Sequence, residues 1–239
     1  MVQLRKLYRL MEYQTYEEWR HALFKLAENN GFSQMLFGIV PSRSSVLENS
    51  FMVQNFNPQW RGKYIAEKLH EIDPTVTHCI SSAVPIIWPA GSIASIDEQH
   101  FYEEARAYGL HSGITFPIHG PEGQFGMLSF VAEDSETLKK LESFAEMASL
   151  SLIRDYIVES SIKFSGINQC VLNVKLTQRE LECLKWIMEG KSSWEAAQIL
   201  KCSEATANFH MSNIKRKFNV STRQQAVVKA IMYGLISPN

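Results

Sequence analysis

Residues 176–218 read LTQRELECLKWIMEGKSSWEAAQILKCSEATANFHMSNIKRKF, and this stretch punctuates itself. Thr177 to Glu180 has the Thr-x-x-Glu spacing of a capping box, with Leu176 and Leu181 placed as a hydrophobic staple. The helix it opens is predicted to run to Glu189 and stop at Gly190. Ser192 to Glu195 repeats the capping box and starts a short helix through Leu200. After a turn at Lys201 and Cys202, Ser203 caps a third helix over Glu204–Phe218. Beyond the stretch, Asn219 offers a left-handed exit, and Thr222 to Gln225 begins a last helix that ends at Gly234. Two short helices joined by a three-residue turn make a helix-turn-helix, whose second helix enters the major groove of DNA.

The 3.6-residue period sorts the faces of that second helix. Ala207, Met211, Ile214 and Phe218 share one stripe and form the small core. Asn208, Phe209, Ser212 and Arg216 point outward or obliquely, and Lys215, Arg216 and Lys217 gather at the C-terminal end. Asn reads adenine bidentately and Ser reaches several base edges, whereas Lys and Arg chiefly neutralise phosphate. The expected DNA-contacting set is Ser203, Thr206, Asn208, His210, Ser212, Asn213, Lys215, Arg216 and Lys217. A basic triplet at a helix C-terminus also complements the helix dipole with no DNA involved. The triplet alone does not choose between these readings; the helix-turn-helix spacing favours DNA.

The charge distribution points the same way. Residues 175–239 carry ten Lys/Arg and five Asp/Glu, while residues 1–174 carry fourteen and twenty, so a basic unit follows an acidic one in a chain of net charge -1. Chance fluctuation is the duller account. Of the 239 residues 45% are hydrophobic, enough for one or two cores, and no apolar run approaches the length of a membrane span. The N-terminal residues lack the apolar core of a signal peptide, and Cys79, Cys170, Cys183 and Cys202 are too scattered for a zinc finger or disulfide framework. The expected setting is the cytoplasm, at the nucleoid, with no membrane partner.

Upstream, Thr15–Asn30 reads as an amphipathic helix with Trp19, Leu23, Leu26 and Ala27 on one face. Two β-rich runs follow, Gln34–Val40 and Ser50–Phe56. Short helices are predicted over Trp60–Leu69 and Asp73–Ser82, the latter with Asp73 as N-cap and Pro74 in the first turn. Pro85–Trp88 is a short strand, Asp97–Tyr108 a helix, and Gly113–His119 with Gln124–Glu133 a hairpin around Gly120-Pro121-Glu122-Gly123. A long helix from about Ser135 to Ser160 is predicted, with Leu138, Leu141, Ala145, Ala148 and Leu152 spaced as a helix-pairing seam. Helices around about five antiparallel strands give an α+β class: an N-terminal α-β-α sandwich with a central antiparallel sheet, then a C-terminal all-α four-helix domain. The expected domains are residues 1–162 and 175–239, with a linker at 163–174.

Leu176-Thr177-x-x-Glu180, Leu184, Gly190-Lys191-Ser192, Asn208-Phe209-His210, Asn213-Ile214 and Lys217-Phe218 resemble the LuxR/GerE-type DNA-binding domain. Trp60-x-x-x-Tyr64, Asp73-Pro74, Trp88 and Gly113 are similar to the acyl-homoserine-lactone-binding domain of quorum-sensing LuxR-type receptors. Gly31-Phe32-Ser33, Leu36-Phe37-Gly38, Asp73-Pro74-Thr75-Val76, His78-Cys79 and Phe101-x-Glu103-Glu104-Ala105 look like segments of the LasR-like branch. The resemblance implies an activator with an N-acyl-homoserine lactone as signal ligand and no other cofactor. Its implied partners are promoter DNA bound as a palindrome by a homodimer, and RNA polymerase.

Such a ligand carries a ring carbonyl, an amide N–H, an amide carbonyl and an apolar tail. A buried site needs donors for the carbonyls and an acceptor for the N–H. Trp60 offers a donor only, ionised Asp73 an acceptor only, and Ser129 a hydroxyl that does either. By resemblance, Trp60 takes the lactone carbonyl, Asp73 the amide N–H and Ser129 the amide carbonyl, with Arg61 near a 3-oxo group. The lining implied comprises Leu36, Gly38, Phe56, Tyr64, Thr75, Val76, Cys79, Trp88, Phe101, Ala105, Leu110, Thr115 and Met127, with Phe125 along a tube for a medium-to-long tail. Each of these residues also has an ordinary reading: core aromatics for Trp60, Trp88 and Phe101, a plain helix cap for Asp73, a strand filler for Ser129. The chain departs from its relatives at Phe56, Leu47 and Ile93, where they carry tyrosines, and at Met127, where they carry a small residue.

Two other classes compete. A lactone-hydrolysing enzyme would show a His-x-His-x-Asp-His or His-Glu-x-x-His metal run or a Gly-x-Ser-x-Gly elbow, and the sequence has none. An orphan regulator would dimerise and bind DNA without a ligand.

Overall fold

The computed structural model describes residues 4–237 apart from 43, 44, 46–49, 90–94, 122, 133, 142 and 167–174. The chain divides into two compact units at about residue 167. In chain order the first holds α1 (Leu4–Glu12), α2 (Tyr16–Glu28), β1 (Phe32–Val40), β2 (Phe51–Gln54), α3 (Pro58–Ala66), α4 (Pro74–Ser81) and β3 (Ile86–Trp88). It continues with α5 (Ile96–Ala107), β4 (Gly113–His119), β5 (Phe125–Ala132), α6 (Ser135–Lys140) and α7 (Phe144–Ser165). The five strands form one antiparallel sheet in the order β2-β1-β5-β4-β3.

Side-chain parity along the strands creates two layers. Met35, Phe37 and Ile39 of β1, Ile114, Phe116 and Ile118 of β4, and Leu128 and Phe130 of β5 share one face. They pack with Trp19 and Leu23 of α2 and Leu150, Ile153 and Ile157 of α7 in the main core. The opposite parity puts Leu36, Gly38, Thr115, Met127, Ser129 and Val131 on the other face, in register across β1, β5 and β4. That face is covered by the stretch containing α3, α4 and α5, whose Trp60, Phe101, Tyr102 and Ala105 form a separate apolar cluster with Trp88, Leu110 and Val131. The first unit is therefore the α-β-α sandwich that the strand and helix patterns imply.

Two features depart from the sequence reading. Helix α1, absent from the sequence reading, buries Leu7 and Leu10 in the main core. The single helix predicted over Ser135–Ser160 is two, and α7 continues to Ser165 before Gly166 closes it at φ 64°. Asp134 caps α6, whose last turn carries Lys139 and Lys140, and Ser143 is the N-cap of α7. The predicted seam is split accordingly: Leu141 is buried, whereas Ala145, Ala148 and Leu152 are exposed. Helix α7 faces the core instead with Leu150, Ile153, Ile157 and Ser160, the last accepting the Trp19 indole N–H at 2.9 Å.

The second unit holds α8 (Gln178–Met188), α9 (Ser193–Leu200), α10 (Glu204–Phe218) and α11 (Arg223–Met232). Thr177, Ser192 and Thr222 all form complete capping boxes, so local chemistry sets the start of three of the four helices. Lys201 leaves α9 and Asn219 leaves α10 in left-handed conformations. Ala207, Met211, Ile214 and Phe218 are buried with Cys183, Leu184 and Ala197, the stripe that the helical period picks out. Among the described residues no helix is long and apolar enough to cross a membrane.

Candidate functional site

The second face of the sheet brings polar groups into an apolar shell. Asp73 is the N-cap of α4 and is 7% exposed. Its Oδ1 accepts from the Thr75 amide at 2.8 Å and the Thr75 hydroxyl at 2.7 Å, and its Oδ2 accepts from the Tyr64 hydroxyl at 2.8 Å. Burial pushes the Asp73 carboxyl above its ordinary range, against the opposing pull of these hydrogen bonds. Burial, with the nearby Asp73 charge, likewise pushes the Cys79 thiol up to about 12, so Cys79 serves here as a small apolar wall.

Tyr64 packs against Trp60 with ring centroids 5.9 Å apart, and Trp60 in turn meets Phe101 at 5.8 Å and Tyr108 at 5.4 Å. Trp60 is 3% exposed, yet its indole N–H donates to no acceptor among the described residues. On the sheet, the Trp88 indole donates to Thr115 Oγ1 at 2.9 Å, and Thr115 shares a 2.8 Å bond with Ser129 Oγ. Those two hydroxyls own two hydrogens and use one between them, so one remains to donate. Thr115 is fully enclosed and already accepts from Trp88, which leaves Ser129 as the outward donor. Gly113 permits this arrangement: a Cβ there would sit 2.6 Å from the Trp88 ring and 2.1 Å from the Phe130 carbonyl oxygen.

Most of the residues named from sequence meet here. Trp60, Trp88, Phe101, Ala105 and Leu110 share the apolar cluster, with Phe56 and Tyr64 packed on it. Thr75 and Cys79 are buried on α4, Val76 is half-buried there, and Leu36, Gly38 and Met127 lie on the same sheet face as Ser129. Arg61 is exposed: on α3 it stands one residue, about 100°, from the buried Trp60. Leu47 and Ile93 lie outside the described residues. Sequence reasoning missed Tyr102, Leu69, Tyr108 and Val131, which all belong to or pack on the cluster. The one available signal for Tyr102 was its i, i+3 relation to Ala105.

In the second unit α10 presents Asn208, Phe209, Ser212 and Arg216 as exposed, with Thr206, His210, Asn213 and Lys215 half-buried. Ser203 is the exposed N-cap, bonded to Thr206 through both hydroxyl and amide. Arg216 donates to Asn213 Oδ1 at 3.0 Å, which braces both on one face. Lys217 departs from the expected phosphate set. Its ammonium donates to the buried Glu180 at 2.6 Å and to the Lys175 carbonyl at 2.9 Å, tying α10 to the cap of α8.

Burial alone would raise the Glu180 carboxyl, but the Lys217 ammonium and the Thr177 amide and hydroxyl outweigh it and hold the group below its usual range. A depressed folded pKa adds stability above the ordinary carboxylate value and loses it as pH falls through the folded one. Glu180→Gln is therefore expected to cost the second unit about 1–2 kcal/mol at neutral pH, the range for a charged hydrogen bond less screening at the half-buried Lys217. The same change should flatten that unit's acid-melting profile below about pH 4, and unaltered acid melting would contradict the assignment.

Residues 15–160 match the family described as "Autoinducer binding domain", and residues 174–230 match "Bacterial regulatory proteins, luxR family". The chain is 33% identical over 211 residues to the transcriptional activator protein AnoR of Acinetobacter nosocomialis, covering 88% of each protein. Its structure is similar to a crystal structure of Escherichia coli SdiA, with TM-score 0.78, 25% identity and 98% of both chains covered. It is also similar to SdiA in complex with octanoyl-rac-glycerol, with TM-score 0.75 and 25% identity over 99% of this chain and 96% of that one. The chain belongs to the LuxR family of bacterial regulatory proteins, regulators rather than enzymes, with an autoinducer-binding domain ahead of the DNA-binding domain.

Proposed function

We propose that the protein is a ligand-dependent transcriptional activator of quorum sensing that takes a medium-to-long-chain N-acyl-homoserine lactone. The observation that carries the ligand class is one interior sheet face bordered by three complementary groups. These are the unused indole N–H of Trp60, the spare hydroxyl hydrogen at Ser129 and the buried carboxylate of Asp73. They match a ring carbonyl, an amide carbonyl and an amide N–H in turn. The half-buried Leu36, Val76, Phe125 and Met127 supply apolar surface for the tail, about 0.8 kcal/mol per buried methylene. The octanoyl group in the SdiA complex is an acyl tail of this kind. Arg61, exposed on α3 beside Trp60, is the charged group that a 3-oxo substituent would meet through water.

The DNA-binding reading rests on α10 and its exposed polar face. A homodimer on an imperfect palindrome gives two such helices, and the exposed stripe of Phe144, Ala145, Ala148 and Leu152 on α7 suits a second copy. Phe144 is 89% exposed, an unusual position for an aromatic in a lone subunit. RNA polymerase is the further partner of an activator. Mass spectrometry of small molecules extracted from protein made in the presence of mixed acyl-homoserine lactones tests the ligand. Recovery of intact lactone supports the reading; a hydrolysed acid or no ligand overturns it, the latter in favour of the orphan regulator.

A second prediction separates reading from anchoring on DNA. Asn208→Ala should relax base preference at one position of each half-site, at about 1–3 kcal/mol per site. Lys215→Ala should weaken all sequences alike and reduce the salt slope by about one per subunit. Anisotropy titrations at several salt concentrations measure both. An Asn208→Ala protein with unchanged affinity and preference would remove Asn208 from base reading.

A further inference from the structure

Tyr102 lies on α5 in the same apolar cluster as Trp60, beside Phe101 at a ring distance of 5.6 Å. It is 4% exposed, and its hydroxyl has no hydrogen-bond partner among the described residues. A buried phenol with no partner is costly, and a phenylalanine would fill the same space without that cost. Ring contacts run from Tyr102 to Phe101, from Phe101 to Trp60 and from Trp60 to Tyr64, whose hydroxyl holds Asp73, so Tyr102 lies on the Trp60 and Asp73 side of the cluster. Phe101, its neighbour in sequence, also packs on the Trp60 ring. The unused phenol, the unused indole and the carboxylate thus stand at one end of the site.

The geometry points to Tyr102 as a second donor to the lactone ring, its hydroxyl giving a hydrogen bond to a ring oxygen and setting preference for an oxygenated head group. This rests on the proposed acyl-homoserine-lactone reading and names a specificity residue for it. Trp60 and Ser129 each have one donor to give, and the ring has two oxygens. The ring therefore has room for a donor beyond Trp60, and Tyr102 offers a buried hydroxyl with no partner among the described residues. The phenol stays neutral, since burial and the Asp73 and Glu98 charges all raise its pKa, so it remains a donor at any physiological pH.

The test pairs two ligands with two proteins. N-octanoyl-homoserine lactone has both ring oxygens, and N-octanoyl-cyclopentylamine has the same tail and amide with neither. Dissociation constants for each are measured on the full chain and on its Tyr102→Phe variant, with melting temperatures recorded with and without ligand. Tyr102→Phe is expected to weaken the lactone about tenfold while changing the cyclopentyl amide less than about twofold. Without ligand the variant should melt no lower than wild type, because an unpartnered hydroxyl has been removed. Equal weakening of both ligands would show a packing role and overturn the inference, as would unchanged lactone affinity. Wild-type protein that binds neither ligand would overturn the proposed function itself, a result distinct from either of these.

Discussion

Asp73→Ala is expected to loosen α4 and abolish ligand binding together, whereas Asp73→Asn should separate the two effects. The carboxylate has two jobs within the protein. Oδ1 caps α4 by accepting from the Thr75 amide and hydroxyl, and Oδ2 holds the Tyr64 hydroxyl. Alanine removes the cap, at about 1 kcal/mol. It also strands two buried hydroxyls, at about 1–3 kcal/mol each. A total of about 3 kcal/mol or more is a large share of a domain stability of about 5–15 kcal/mol. Asparagine keeps a carbonyl oxygen for the cap but loses the charge that strengthens a bond to a ligand N–H. A charged hydrogen bond contributes about 1.5–3 kcal/mol, so affinity should fall about 10- to 100-fold, with a smaller loss of melting temperature than in the alanine variant because only the Tyr64 hydroxyl loses its acceptor. Wild-type affinity in the Asn variant would remove Asp73 from ligand contact.

The pH dependence has a definite sign. Burial raises the folded pKa of Asp73 above the unfolded value, so the folded state holds its proton more tightly. The stability linked to this group is then fully present below the ordinary carboxylate pKa, about 3.9, and is lost as pH rises through the folded value. Wild-type protein without ligand should show this decline in the melting of its first unit, and Asp73→Asn should lack it. Ligand should reduce the decline, since an amide N–H on the carboxylate favours the ionised form.

Much of this arrangement is written in local pattern. The period of two along β1, β4 and β5 assigns Phe37, Phe116 and Leu128 to one face and Gly38, Thr115 and Ser129 to the other, because adjacent strand residues point oppositely. The capping boxes at Thr177, Ser192 and Thr222 fix helix starts from four residues each. What local pattern misses is chosen by tertiary contact. Lys217 follows Lys215 and Arg216 in one basic run, yet Glu180, thirty-seven residues away, takes its ammonium. The Ser135–Ser160 periodicity reads as one helix, but its two ends pack differently: Leu141 turns into the core while Ala145 and Ala148 stay exposed. Tyr102 looks like any aromatic on an amphipathic helix, and only its buried, unpartnered hydroxyl sets it apart.

Ligand supplied during synthesis is expected to raise soluble yield, melting temperature and operator affinity together. The physical cause is the unequal finish of the two sheet faces. On the main-core face Phe37, Phe116 and Leu128 are each 0% exposed, packed by α2 and α7. On the other face Leu36, Phe56, Tyr64, Val76 and Met127 are only half-buried, and among the described residues the Trp60 indole and Tyr102 hydroxyl lack partners. A ligand seated there adds apolar contact and satisfies donors that the protein leaves unused, and only the folded state offers that seat. Binding linkage then adds RT ln(1 + [L]/Kd), about 2.7 kcal/mol at a hundredfold excess over Kd. For a unit of this size that corresponds to a rise of roughly 5–10 °C in melting temperature. The same increment lowers the unfolded fraction about a hundredfold, which in a cell decides how much chain escapes proteolysis. More folded first unit means more α7 surface able to pair, and a paired protein holds both half-sites of a palindrome at once. The three readouts should therefore rise in the same order across a series of acyl-tail lengths, with no covalent change in the ligand. Equal yield, melting temperature and operator affinity with and without lactone would sink this mechanism and leave the ligand-free regulator in its place.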